Sequence, residues 1–205
     1  MDYPILGPML SIIKPKTEML LQPVAQLLRH VDPNLITLLG MIFPVLFFIF
    51  VMKGWYLLAL IAFIFNALDL LDGLVARAHN KVTAFGGFLD STVDRFADFV
   101  VIVAFGFAEL VNWYIVLTLV LFTYLISYIR SRTELAAKDS NLVANVGIVE
   151  RPERLITIFI GLAIYALWPH AEFIELNLAS ITFLVLIAGS AFTVAQRIAF
   201  AYKNL

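Results

Sequence analysis

DLLDGLVARAHNKVTAFGGFLDSTVD, residues 69–94, places four aspartates (Asp69, Asp72, Asp90 and Asp94) where two long apolar runs meet. Asp69 and Asp72 are three residues apart, with Gly73 and Ala76 a turn further on. Asp90 and Asp94 are four apart, with Gly86 four before them. Neighbours at these spacings share one helical face. A turn near Asn80 makes the two helices antiparallel neighbours, so two carboxylates from each are expected to meet in one cavity.

Outward from this stretch the chain is mostly apolar. Of its 205 residues 62% are hydrophobic and 14% charged, where soluble chains run at roughly 45–50% and about 25%; mean hydropathy is +0.95. A bilayer crossing takes roughly 20 apolar helical residues. The expected fold is all-α and polytopic, a single membrane domain over 1–205 with no nucleic-acid partner. Six spans are placed at 34–52, 55–77, 86–109, 112–134, 153–169 and 178–200, forming a bundle over 34–200. Residues 15–30 (PKTEMLLQPVAQLLRH) carry Leu20, Leu21, Val24, Leu27 and Leu28 on one stripe, which suits an amphipathic helix lying in the interface. Asp2, Pro4 and Pro8 argue against a cleavable leader. Without cysteine, thiolate chemistry is excluded.

On this division every lysine and arginine except Lys53 and Arg95 falls on one side of the membrane. The bias toward positive cytoplasmic loops puts both termini, and the mouth of the acidic segment, in the cytoplasm.

Unpaired carboxylates inside a membrane are costly, about 2.5–3.5 kcal/mol each at midspan on the mild scale. Two divalent cations remove the conflict. An all-oxygen donor set selects hard ions, Mg²⁺ or Mn²⁺, and paired ions are the usual apparatus for displacement at phosphorus. Gly73, Ala76 and Gly86 leave room for a base or a diphosphate to approach the backbone, and Arg77 offers a bidentate grip on phosphate. Small residues on spans also serve close helix packing, and a lone intramembrane Asp also suits an ion path. The combined pattern is more restrictive than either.

That pattern resembles the signature of the CDP-alcohol phosphotransferases, D-x-x-D-G-x-x-A-R, eight residues, then G-x-x-x-D-x-x-x-D, met at Asp69, Asp72, Gly73, Ala76, Arg77, Gly86, Asp90 and Asp94. The resemblance implies transfer of a phosphatidyl-type group from a CDP-linked lipid to an alcohol, with release of CMP. Asp69, Asp72, Asp90 and Asp94 would hold the two metal ions, and Asp94 would also act as base on the acceptor hydroxyl. Asp32–Gly40 (DPNLITLLG) looks like the family's P-N-x-x-T-x-x-G element. By similarity, Asn34, Leu35, Ile36, Thr37, Gly73, Ala76, Arg77, Thr83 and Gly86 form the CDP-lipid pocket. The family likeness also suggests a homodimer.

The acceptor is read from surplus cationic charge. Arg130, Arg154 and Arg197 come from three helices that end at similar depth, and a helix N-terminus attracts anions. SYIRSRTELA, GIVERPERLI and a later QR are similar to the phosphatidylinositol-phosphate and archaetidylinositol-phosphate synthases. That narrower likeness implies inositol 1-phosphate as acceptor, its phosphate on Arg130, Arg154 and Arg197 with Arg151 nearby. Glycerol 3-phosphate is the alternative acceptor, and a cation transporter using the four aspartates is the alternative of another class.

Overall fold

The structure is a computed structural model that describes residues 22–23, 26–66, 70–137, 144, 146–173 and 176–205. The chain divides into two compact units, one covering Ile12–Glu109 and the other including Leu110–Leu205.

In the first unit, α1 (Pro33–Gly40) begins at the N-cap Asp32, whose carboxylate accepts the Asn34 amide at 2.9 Å. Proline in the first turn loses no intrahelical bond. A turn at Met41 separates α1 from α2 (Ile42–Met52). Pro44 explains that break, because it has no N–H to offer the Gly40 carbonyl one turn back. Gly54, in the left-handed region at φ 69°, turns the chain into α3 (Tyr56–Asn66). Then come α4 (Leu70–Ala78) and α5 (Ala84–Phe107). Asn80, at φ 53°, forms the turn between these two. Thr83 caps α5 by accepting the Gly86 amide at 3.0 Å.

The α2 helix packs on α3 and α5, while α1 packs on α4 and α5. The apolar centre is aromatic: Phe47 lies 5.4 Å from Phe63 edge-on and 6.1 Å from Phe105. A smaller cluster of Leu71, Leu74 and Val75 receives Leu28 and Ile36.

In the second unit, α6 (Trp113–Ala136) is capped by Asn112, α7 is Arg151–Leu167, and α8 (Leu178–Asn204) is capped by Asn177. The α8 helix packs against both α6 and α7. Gly161 permits the second of these contacts: a Cβ there would lie 2.5 Å from Thr182 Cγ2 and Oγ1. A two-stranded antiparallel ribbon, β1 (Glu172–Phe173) and β2 (Leu176–Asn177), joins α7 to α8 with Glu172 opposite Asn177. Asn177 also donates to the Leu110 carbonyl at 2.7 Å.

The structure is therefore mostly helical, and the ribbon is an addition to the all-α expectation. Pro33–Met52, Trp113–Ala136 and Leu178–Asn204 are long and apolar enough to cross a membrane. The expected 55–77 span corresponds to α3 and α4, with 67–69 outside the described residues. Most of the expected interfacial helix at 15–30 also lies outside them.

Candidate active site

In the first unit, α1, α4, the turn after α4 and the start of α5 enclose a cavity of about 700 Å³. That is within the range of small-molecule sites, about 300–1,000 Å³. Its wall includes Asn34, Thr37, Asp72, Gly73, Ala76, Arg77, Thr83, Gly86 and Asp90. Helix periodicity explains the selection from α1. Asn34 and Thr37, three apart, share the face toward the cavity. Leu35 is exposed and Ile36 packs on the Leu71–Leu74–Val75 cluster, so neither side chain is on the wall.

The polar groups hold one another. The Thr37 hydroxyl lies 3.1 Å from the Pro33 carbonyl and within bonding reach of Asp72 Oδ2, and its one proton serves one acceptor at a time. The Gly73 amide faces Asp72 Oδ1. Asp72 is buried, so these contacts replace the water its carboxylate has given up. A Cβ at Gly73 would lie 3.1 Å from Arg77 Nη1, and one at Gly86 would lie 3.1 Å from Thr83 Oγ1 and 3.3 Å from Asn34 Oδ1. Both glycines thus admit polar side chains close to the backbone.

Asp94 is one helical turn beyond Asp90 and is not on the cavity wall. Its side chain is largely covered, with Oδ2 3.6 Å from Arg95 Nη1. Asp69 lies outside the described residues. Among the described residues no three metal-ligating side chains gather into one cluster; Asp72 and Asp90 are the two carboxylates of the sequence motif that face the cavity.

His30, Asp32, Lys81 and Gly87 also line the cavity, beyond the sequence expectation. Lys81 Nζ donates to the Arg29 and Val31 carbonyls at 2.8 and 3.2 Å and so ties the turn after α4 to the approach to α1. The sequence shows Lys81 only as a loop cation; its two carbonyl acceptors are 52 and 50 residues away along the chain.

In the second unit, the arginines read as acceptor ligands differ in setting. Arg130 Nε meets Glu134 Oε1 at 3.0 Å, and the Arg130 side chain is 39% exposed. Arg154 is buried near the start of α7 and Arg151 is half-buried at its first residue. Arg197 is 3% exposed. Its Nε donates to the Val146 carbonyl at 2.8 Å, Nη1 to the Ile126 carbonyl, and Nη2 to Glu150 Oε1 at 2.8 Å.

A sequence model of CDP-alcohol phosphatidyltransferases matches residues 30–195. The chain belongs to this family. Among relatives within it, the archaetidylinositol phosphate synthase of Pyrococcus horikoshii is 37% identical over 75% of this chain and 81% of its own. The phosphatidylinositol phosphate synthase of Corynebacterium glutamicum is 30% identical over 91% of this chain and 86% of its own. Among solved structures, the Mycobacterium tuberculosis phosphatidylinositol phosphate synthase with CDP-DAG bound superposes with a TM-score of 0.75, at 26% identity over 88% of this chain and 92% of that one. The same enzyme in complex with manganese and citrate also gives 0.75 at 26% identity, covering 88% of each chain.

Proposed function

We propose that this chain is a membrane-embedded, metal-dependent transferase. It moves a phosphatidyl-type group from a CDP-activated lipid (CDP-diacylglycerol or CDP-archaeol) to inositol 1-phosphate and releases CMP. The observation that carries the reading is the 700 Å³ cavity, which gathers Asn34, Thr37, Asp72, Gly73, Arg77, Thr83, Gly86 and Asp90. An archaetidylinositol phosphate synthase at 37% identity and a phosphatidylinositol phosphate synthase at 30% support the acceptor.

The residues present suit Mg²⁺ or Mn²⁺. Asp72 and Asp90 bring hard oxygen donors to the same cavity, and neither sulfur nor imidazole competes among the motif positions. Asp69, Asp72, Asp90 and Asp94 would hold two ions, which when bound offset phosphate charge and stabilise the oxygens of an in-line displacement.

The chain's own groups do the rest. Arg77 grips the diphosphate of the donor, and Asn34, Thr37 and Thr83 supply polar contacts to its nucleotide. Gly73 and Gly86 keep the wall open for it. Asp94 takes the proton of the acceptor hydroxyl. The freed oxygen bonds to the lipid-side phosphorus, the bond from that phosphorus to the CMP oxygen breaks, and CMP leaves with the electron pair. Arg130, Arg154 and Arg197 hold the acceptor's own phosphate, with Arg151 nearby. Six spans, cytoplasmic termini, a cytoplasmic active-site mouth and a homodimer complete the proposal.

The test is CMP release by purified protein with Mg²⁺ or Mn²⁺, each CDP-lipid, and inositol 1-phosphate or glycerol 3-phosphate in turn. Release that depends on inositol 1-phosphate is expected. Release with glycerol 3-phosphate alone would reassign the acceptor. Cation flux in liposomes without CMP release would overturn the transferase reading.

A further inference from the structure

We infer that Lys81 is a positioning residue for the CDP-lipid: it braces the chain just ahead of α1 against the end of α4, and so fixes the gap between two walls of the cavity. This rests on the donor reading above and extends it to one of the eight residues that the motif leaves unspecified.

One helix ends and another begins beside Lys81, and helix ends leave backbone groups to satisfy. The α4 helix closes with Asn80 in the left-handed region at φ 53° and the Lys81 amide donating back to the Ala76 carbonyl at 2.8 Å. That is the six-to-one bond of a Schellman ending, and it seats the Lys81 backbone beside a residue of the cavity wall. The α1 helix opens on Pro33, which has no N–H to give the Arg29 carbonyl four residues back. The corresponding amide for Val31 is that of Leu35, and it bonds to the Asp32 carbonyl at 3.0 Å. Lys81 Nζ serves both carbonyls, donating to Arg29 O at 2.8 Å and to Val31 O at 3.2 Å. One residue thus ends α4 with its amide and steadies the entry to α1 with its side chain.

The consequence falls on the cavity. Leu28, before the braced turn, and Ile36, after it, pack on Leu71, Leu74 and Val75. Such apolar contacts are non-directional; they hold α1 near α4 without setting the angle of its first turn. His30, Asp32 and Asn34 line the cavity from this stretch, while Ala76 and Arg77 line it from α4. At eight residues, α1 is too short to keep its shape alone. Its first turn depends on the Asp32 cap, which accepts the Asn34 amide at 2.9 Å, and on Lys81 just ahead of it. Without Lys81, Asn34 shifts relative to Arg77, and a donor that must meet both is held less well.

The ammonium has three donors, of which the carbonyls take two, so bracing and a direct phosphate contact are separated by substitution. Lys81→Met keeps an unbranched stem and removes the donors. In purified protein it is expected to raise the KM for the CDP-lipid about tenfold, the scale of two hydrogen bonds from a partly exposed cation. The kcat and the KM for inositol 1-phosphate are expected to stay unchanged. An equal rise in both KM values, or none in the donor's, would overturn the inference. The chain has no cysteine, so Arg29→Cys with Lys81→Cys offers a single pair of thiols to a short bismaleimide. Once joined, that double variant is expected to regain the donor KM of Arg29→Cys alone, although no charge returns at position 81. Joined protein that binds the donor no better than unjoined would overturn the brace and make Lys81 a phosphate contact. Amide exchange at Val31, Leu35 and Ile36, read with no substrate present, is expected to quicken in Lys81→Met, and unchanged exchange would overturn the brace. That readout needs no nucleotide, so the brace stands or falls apart from the donor's identity; wild-type protein that failed to bind CMP would instead overturn the donor reading.

Discussion

The cavity of the first unit and the arginine-rich end of the second are both polar places in an apolar chain, but they are built on opposite plans. Around the cavity, glycines subtract bulk. Gly73 lets the Arg77 guanidinium lie close to the backbone, and Gly86 does the same for Thr83 and Asn34, beside a void of about 700 Å³. Near Arg197 the glycines are filled from the other side: Gly147 receives Thr193 and Gly189 receives Val149. In the first region Asp72, Arg77 and Asp90 line that void. The second has already joined Arg197 to Glu150 and Arg130 to Glu134. A glycine therefore says little by itself; what occupies the missing Cβ position decides whether it serves a ligand or a seam.

Substitutions can break this contrast, and the largest effect is expected at the proposed base. Asp94→Asn should lower kcat by about 10²–10⁴-fold, the usual range for a general base, with CDP-lipid binding kept in a direct titration. Near-normal turnover would remove Asp94 from the chemistry. Removal of divalent ions by chelation should stop CMP release, and Mn²⁺ or Mg²⁺ should restore it in the same sample. Next comes Gly86→Ala. Its added methyl meets Thr83 Oγ1 and Asn34 Oδ1 at 3.1 and 3.3 Å, so the KM for the CDP-lipid should rise about tenfold, within the cost range of core overpacking, with little change for the acceptor. Arg154→Ala should act the other way round and raise the acceptor KM more than the donor KM; equal effects would make Arg154 structural. The smallest effect is expected for Thr37→Val. It deletes the hydroxyl between Pro33 and Asp72, and should lower kcat/KM about five- to tenfold, as the net contribution of one hydrogen bond implies.

Much of this was legible from the sequence because the helices announce themselves. The apolar runs placed at 112–134 and 178–200 correspond to α6 and α8, and the aspartate spacing puts Asp72 and Asp90 on the cavity together. The same helical period distinguishes Asn34 and Thr37 from Leu35 and Ile36, although a motif read as a block passes over it. The ribbon at 172–177 was not legible, since two-residue strands are too short to show alternation. Nor was the environment of Arg197, because two of its partners are carbonyls of Ile126 and Val146, and any residue type offers a carbonyl. Asp69 lies outside the described residues, so its place rests on the sequence pattern alone.

Lys81 adds a point about time. During insertion, its ammonium votes with the other loop cations on which way the polypeptide will face. Once the chain has folded, the same nitrogen is engaged by the carbonyls of Arg29 and Val31 and acts as a rivet at the rim. Replacing it with a neutral residue would therefore disturb two events in succession, first the vote on orientation and then the seam, and pulse-labelled topology mapping beside a folded-state assay would tell them apart.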